Sequence, residues 1–314
     1  MLKKFLATIV LSTALTLCAN AAEVPNIELN NGTKIPQLGL GTFMLTEGEG
    51  EGESEAYTAA LTALKAGYRH IDTAHAYGNE RSIGRAIKDS GIPREEIWVT
   101  SKLWPSEFGE GKTAEAFEKM LKRLDLDYVD LVYVHQPVGD VMGAWKDIEK
   151  AYKEGKIKAL GISNFDKDEK VFDEFFKTVE VKPQIMQMEC HPYAQREYWQ
   201  KRIKEQNMQQ ENWYPLGGRQ SNGLILKDKT INKIAKAHKK SPAQIVLRWH
   251  IQKGFIAIPG ASNPDYIKEN IDIFDFSLSD KEMEKIHKLN TEKRIFNSPY
   301  EEAKKRYLET VLPD

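Results

Sequence analysis

The chain has 314 residues, of which 41% are hydrophobic and 29% charged, with a formal net charge of −1. This length suits one large α/β domain or two ordinary ones, and either would bury a substantial core. The composition is that of a globular, soluble protein, and the near-neutral balance carries no general nucleic-acid footprint.

The first segment, MLKKFLATIVLSTALTLCANAAEVPN, opens with Lys3 and Lys4 and runs apolar over 5–18. It then reaches the small-x-small pattern Ala19-Asn20-Ala21. Such a run is short for a bilayer span and reads as a secretory signal peptide, residues 1–21, removed by cleavage. Export to the periplasm or outside the cell is expected, with no membrane attachment after cleavage. The alternative is an apolar first helix or anchor, in which case the protein stays cytoplasmic. There is no twin-Arg pair, which implies export of an unfolded chain. Cys18 leaves with the signal, so Cys190 has no partner for an internal disulfide.

The remaining residues, 22–314, read as one domain. Asn31-Gly32 between short extended segments at 27–37 predicts a β-hairpin. Eight short apolar strands follow: LGLGT (38–42), YRHIDTA (68–74), IWVTSK (97–102), YVDLVYVH (128–135), IKALGISN (157–164), PQIMQMEC (183–190), QENWYP (210–215) and FIAIPG (255–260). Segments with apolar residues spaced three and four apart lie between them, for example over 55–66 and 114–124. Strands alternating with helices imply parallel pairing, and eight such units without a dividing linker fit a (β/α)8 TIM barrel. The run TEGEGEGESE (46–55) reads as a solvated, mobile loop after the first barrel strand, with substrate gating as the minority reading.

In such a barrel, reactive groups sit at the C-terminal ends of strands. Those ends carry Asp72, Lys102 and His135, with Tyr77 just past the second strand. Any one of them alone would pass for a cap, a solvated charge or a structural polar group. Together they make a chemical unit. An ammonium beside a phenol lowers the phenol's pKa, and a carboxylate keeps that ammonium charged where water is excluded. An imidazole N–H can hold a carbonyl oxygen beside the hydroxyl. The product is a phenol placed to protonate an oxygen that is gaining charge, which calls for a hydride delivered to the adjoining carbon. Tyr77 is then the general acid, Asp72 and Lys102 tune it, and His135 orients the substrate. No Cys/His metal pattern or nucleophile-elbow motif offers another chemistry.

From about residue 24 onward the chain resembles the aldo-keto reductase family. The stretches that carry the resemblance are GLGT (39–42), AGYRHIDTAHAYGNE (66–80), VTSKLW (99–104), DYVDLVYVH (127–135), GKIKALGISNF (155–165), PQIMQMECHP (183–192) and WYPLG (213–217). The resemblance implies a nicotinamide cofactor held without a Rossmann domain, in keeping with the lack of a strand-linked G-x-G-x-x-G. It implies that Ser163, Asn164 and Gln187 hydrogen-bond the carboxamide, that Trp213 stacks on the ring, and that Leu216 and Gly217 approach the pyrophosphate. Trp104 would wall the substrate pocket, and Glu269 and Asn270 would contact adenine. Many relatives grip the 2′-phosphate of NADP with a Lys-Ser pair and an Arg. Here Gly260, Ala261 and Tyr266 stand in those places, so the charge-assisted contacts are missing. Ser262, Asn263 and Lys268 are the candidates to replace them.

The expected protein is an NADPH-dependent reductase of aldehydes or ketones, with NADH or dual use as the alternative. Its partner is a small-molecule carbonyl substrate, and a monomer is expected. The aromatic tail after about residue 290 either closes the pocket or covers the barrel's side. A dinucleotide-binding sensor without turnover, and a different barrel enzyme such as an isomerase or lyase, are the rival readings.

Overall fold

Asn31 and Gly32 turn the chain between two short strands, Asn26–Glu28 (β1) and Lys34–Pro36 (β2), which pair antiparallel. Gly32 takes φ 82°, a left-handed conformation that costs glycine nothing, and its N–H donates to the Leu29 carbonyl at 2.9 Å. The expected hairpin is therefore present. The computed structural model describes residues 23–47, 54–296 and 299–313. The signal segment and positions 48–53 of the Glu/Gly-rich run lie outside the described residues.

Eight parallel strands follow: Leu40–Gly41 (β3), His70–Asp72 (β4), Trp98–Leu103 (β5), Val129–Val134 (β6), Ile157–Ser163 (β7), Ile185–Glu189 (β8), Gln209–Trp213 (β9) and Ile256–Ile258 (β10). They pair in chain order from β3 to β10. The sheet closes through the Gly39 N–H, which donates to the Ala257 carbonyl at 3.0 Å, and the Ala257 N–H, which donates to Gln37 at 3.0 Å. Six of the strands fall within the segments expected for them, while β5 runs one residue past its segment to Leu103 and β9 begins one residue before its own at Gln209. All of β5, β6 and β8 is buried, as parallel strands covered on both faces must be, and this is why they read as unbroken apolar runs.

Helices cover the outside. Helix Glu55–Lys65 starts at Ser54, whose hydroxyl accepts the Tyr57 N–H at 3.1 Å. It buries Ala56, Ala59, Ala60, Ala63 and Leu64, a small-residue face turned to the barrel. Helix Lys112–Leu124 buries Phe117 and Met120 in the same way. Among the described residues no helix is long and apolar enough to cross a membrane.

Inside the barrel, Leu29 and Ile35 of the hairpin pack with Trp98, Leu131, Ala159, Ile185 and Ile256, most of which lie near the strands' N-terminal ends. The hairpin thus seals that mouth. Tyr133 crosses the interior above it, over Gly161, where a Cβ would sit 2.3 Å from the ring. The opposite mouth stays open, and the polar groups gather there.

Candidate active site

Asp72 ends β4 and Lys102 is the fifth residue of β5, so parallel pairing sets both near the open mouth. Lys102 is fully buried and spends its three donors on Asp72 Oδ1 at 2.5 Å, the Thr73 carbonyl at 2.9 Å and Tyr77 Oη at 3.3 Å. Tyr77 is brought there by a single 3₁₀ turn, His75–Tyr77, which ends on left-handed Gly78. His135 follows β6, with its ring 5.9 Å from that of Tyr77. The four residues expected to act together are adjacent.

Burial, the largest single influence, pulls the Lys102 ammonium down, but Asp72, Tyr77 and Glu211 together outweigh it and the net direction is up. Lys102 therefore stays charged. The phenol departs from expectation. Burial pushes Tyr77 up to about 12, with Lys102 working against the rise and Asp72 adding to it. Lys102 limits the increase but does not reverse it. Tyr77 is accordingly a protonated donor throughout the neutral range. Burial, then the charges of Lys102 and Lys167, hold His135 well below the ordinary imidazole range, so it is neutral with one N–H.

A cavity of about 640 Å³ opens over this group, a size that suits a small ligand. Its wall includes Asp72, Tyr77, Trp104, His135, Asn164, Gln187 and Trp213. Lys102 and Ser163 lie behind it, and Leu216, Gly217, Ser262, Asn263, Glu269 and Asn270 are not part of its lining. Asn263 caps helix Pro264–Ile271 by accepting the Asp265 N–H at 2.8 Å, and Glu269 accepts from Ser241 Oγ. A larger depression of about 1510 Å³ beside the hairpin contains none of the tetrad, so size does not locate the chemistry.

The groups expected to hold a nicotinamide form a fixed frame. Asn164 sits in a left-handed conformation, φ 64°, and donates to the His135 carbonyl and Ser163 Oγ, both at 3.0 Å. Its Oδ1 accepts from Trp213 Nε1 at 3.2 Å. Gln187 donates through Nε2 to Asp72 Oδ2 at 2.8 Å and to Glu211 Oε1 at 2.5 Å. No hydrogen bond among the described residues reaches the Gln187 Oε1, which leaves an acceptor for an amide N–H on the cavity wall. At Gly41 a Cβ would sit 2.7 Å from the Ile258 carbonyl, so the wall there is bare backbone. An amide-bearing flat ring fits these donors, this acceptor and the Trp213 face.

Sequence reasoning missed several members. Glu211, opposite Gln187 in the β8–β9 register, is fully buried and also accepts from Tyr133 Oη at 3.1 Å. Strand alternation in QENWYP was the available signal for its inward position. Burial, then the Asp72 charge, push its carboxyl up to about 8. A carboxyl raised in the fold keeps its proton after the unfolded chain has lost its own, so its contribution to stability falls as pH rises from 4.5 toward about 8. Glu211→Gln keeps the acceptor and removes this dependence. Unfolding free energies from denaturant titration should therefore be higher for the variant than for the parent at alkaline pH, by roughly a few kcal/mol, and equal near pH 4. Parallel pH profiles for the two proteins would refute the assignment.

The tail settles one open alternative, because Phe296, Tyr300 and Tyr307 line the cavity. Helix Tyr300–Glu309 is tied down by Tyr300 Oη, which donates to the Pro137 carbonyl at 3.0 Å. Trp104 packs edge-on between His135 and Tyr307, at 5.1 and 5.2 Å. Phe43 packs against the Tyr77 ring at 5.0 Å and against Tyr214 at 6.1 Å.

The model of the Aldo/keto reductase family matches residues 37–291. A 9,11-endoperoxide prostaglandin H2 reductase of Trypanosoma cruzi is 42% identical over 87% of this chain and 94% of its own. A glyoxal reductase of Bacillus subtilis is 42% identical over 88% and 96%. Among solved structures, a Bombyx mori aldo-keto reductase in complex with NADP superposes with a TM-score of 0.79 at 31% identity, covering 88% of this chain and 95% of that one.

Proposed function

Because the chain belongs to the aldo/keto reductase family, we propose that it is an NADPH-dependent oxidoreductase that reduces aldehydes or ketones to alcohols, with Tyr77 as general acid. The observation that carries this reading is the Tyr77 hydroxyl 3.3 Å from a buried ammonium that Asp72 holds at 2.5 Å, at the wall of a cavity shared with His135.

The substrate oxygen sits between the Tyr77 hydroxyl and the His135 N–H. Tyr77 gives up its proton as that oxygen gains charge, and Lys102 stabilises the phenolate left behind. Neutral His135 donates a hydrogen bond without competing for the proton. Trp104, Tyr300 and Tyr307 exclude water around the reacting atoms. Asn164, braced by Ser163, and Gln187 would hold the carboxamide, Trp213 would receive the ring, and Leu216 and Gly217 would contact the pyrophosphate. When bound, the reduced nicotinamide supplies the hydride.

The test is to mix the protein with NADPH and a panel of aldehydes and to follow the reduced-nicotinamide absorbance. Consumption with alcohol formation is expected. Quenching of protein fluorescence by NADPH without turnover across the panel would favour a non-catalytic binding module.

Cofactor choice turns on the 2′-phosphate. Gly260 is a poor place to restore a cation, because a Cβ there would sit 3.1 Å from the Gly41 carbonyl oxygen. Tyr266 is 60% exposed, so Tyr266→Arg adds a guanidinium at no packing cost. It should raise the ratio of the NADH to the NADPH dissociation constant about tenfold. An unchanged ratio would remove the phosphate-grip argument.

A further inference from the structure

The imidazole of His75 touches two acceptors at once. Its Nδ1 lies 2.7 Å from Glu107 Oε1, and its Nε2 lies 2.8 Å from the carbonyl oxygen of Pro313. Glu107 Oε2 in turn accepts the Trp104 N–H at 2.7 Å, and an ionised carboxylate has no hydrogen to give. A backbone carbonyl cannot donate, and this carboxylate does not. Both ring nitrogens must therefore carry hydrogen, which only an imidazolium does.

We propose that His75 is a positioning residue whose imidazolium clamps the C-terminal tail over the substrate pocket; the claim for substrate rests on the reductase reading above. His75 starts the same 3₁₀ turn that ends in Tyr77, and it is buried. The clamped tail carries Tyr307, Thr310 and Leu312, all part of the cavity wall. Through Glu107 the same ring fixes the backbone of Trp104, whose side chain meets both His135 and Tyr307. One protonation state thus sets two walls of the pocket.

The charged groups facing the ring agree with this. Burial disfavours the imidazolium, but Glu107 and the Pro313 carbonyl more than restore it, against opposition from Arg123, so His75 titrates above its ordinary value. Arg123 is itself neutralised by Glu80 at 2.5 Å. A group raised in the fold gives its full contribution below the unfolded pKa and loses it as pH rises through the folded one. The clamp therefore loosens as pH rises through the raised His75 value.

The experiment follows hydrogen exchange of residues 300–313, corrected for intrinsic rates, in the full-length protein at pH 6 and pH 9. Protection of the tail should fall about tenfold or more at the higher pH in the parent. His75→Gln, which can supply only one of the two hydrogen bonds, should show the weaker protection at both pH values. Glu107→Gln, which removes the anion, should shift the parent's transition to lower pH. In kinetics, KM for the aldehyde should rise across the same transition while the NADPH dissociation constant does not. Tail protection that is independent of pH in the parent, or unchanged in His75→Gln, would overturn the clamp. The exchange measurement needs no substrate, so a protein that reduces no aldehyde would fail the reductase reading while the clamp is still tested.

Discussion

Tyr77→Phe is expected to lower turnover by about 10²–10⁴-fold while leaving NADPH affinity nearly unchanged. Among the described residues the hydroxyl makes one hydrogen bond, the 3.3 Å contact from Lys102, and no carbon of the ring is lost in the substitution. Phe43 and His135 keep their contacts with the ring. Stability should therefore change by only about 0.5–1.5 kcal/mol. With the phenol pushed up to about 12, the parent is already fully protonated at neutral pH, so lowering the pH will not rescue the variant. Aldehyde reduction by Tyr77→Phe at the parental rate would show that another group delivers the proton.

Lys102→Met should do two things at once. Turnover falls at least as far as in Tyr77→Phe, because the phenolate has lost its cation. The fold also loses about 3–5 kcal/mol at neutral pH, because Asp72 becomes a buried carboxylate without a counter-ion. Among the described residues Gln187 alone remains on it as a side-chain donor, at 2.8 Å. Asp72 can relieve the penalty by taking up a proton, so its pKa rises in the variant. The stability gap between parent and variant should then widen as pH increases above the unfolded carboxyl value. Urea midpoints at pH 5 and pH 8 would measure this, and a gap that narrows with pH would contradict it. The doubly substituted protein should be no slower than the slower single variant, since the two side chains act as one unit.

Much of the barrel is legible in the amino-acid sequence. Parallel strands buried on both faces leave apolar runs in the chain, and helices between them leave the spacing of three and four. Asn31-Gly32 announces its turn, and strand ends mark Asp72, Lys102 and His135. The illegible parts share a cause. Burial is a property of the assembled barrel, so the strip of sequence shows Lys102 lowering the Tyr77 pKa but not the larger opposing effect of desolvation. Glu211 sits in the most polar of the eight strands, where a carboxyl looks solvent-facing until the register puts it beside Gln187. His75 and Pro313 are 238 positions apart, and no local pattern links them.

The two ends of the barrel have separate duties, and this bears on how the protein can be handled. The amino end of the described chain enters beside the sealed hairpin mouth, far from the reacting groups. The carboxyl end finishes at the rim of the cavity, with Pro313 in direct contact with His75. A purification handle or a surface-attachment linker on the amino side would leave from the hairpin end, where none of the four reacting residues lies. The same handle fused after Pro313 would tug on the segment that shapes the entrance, and assays made on such a fusion would report the tag as much as the enzyme.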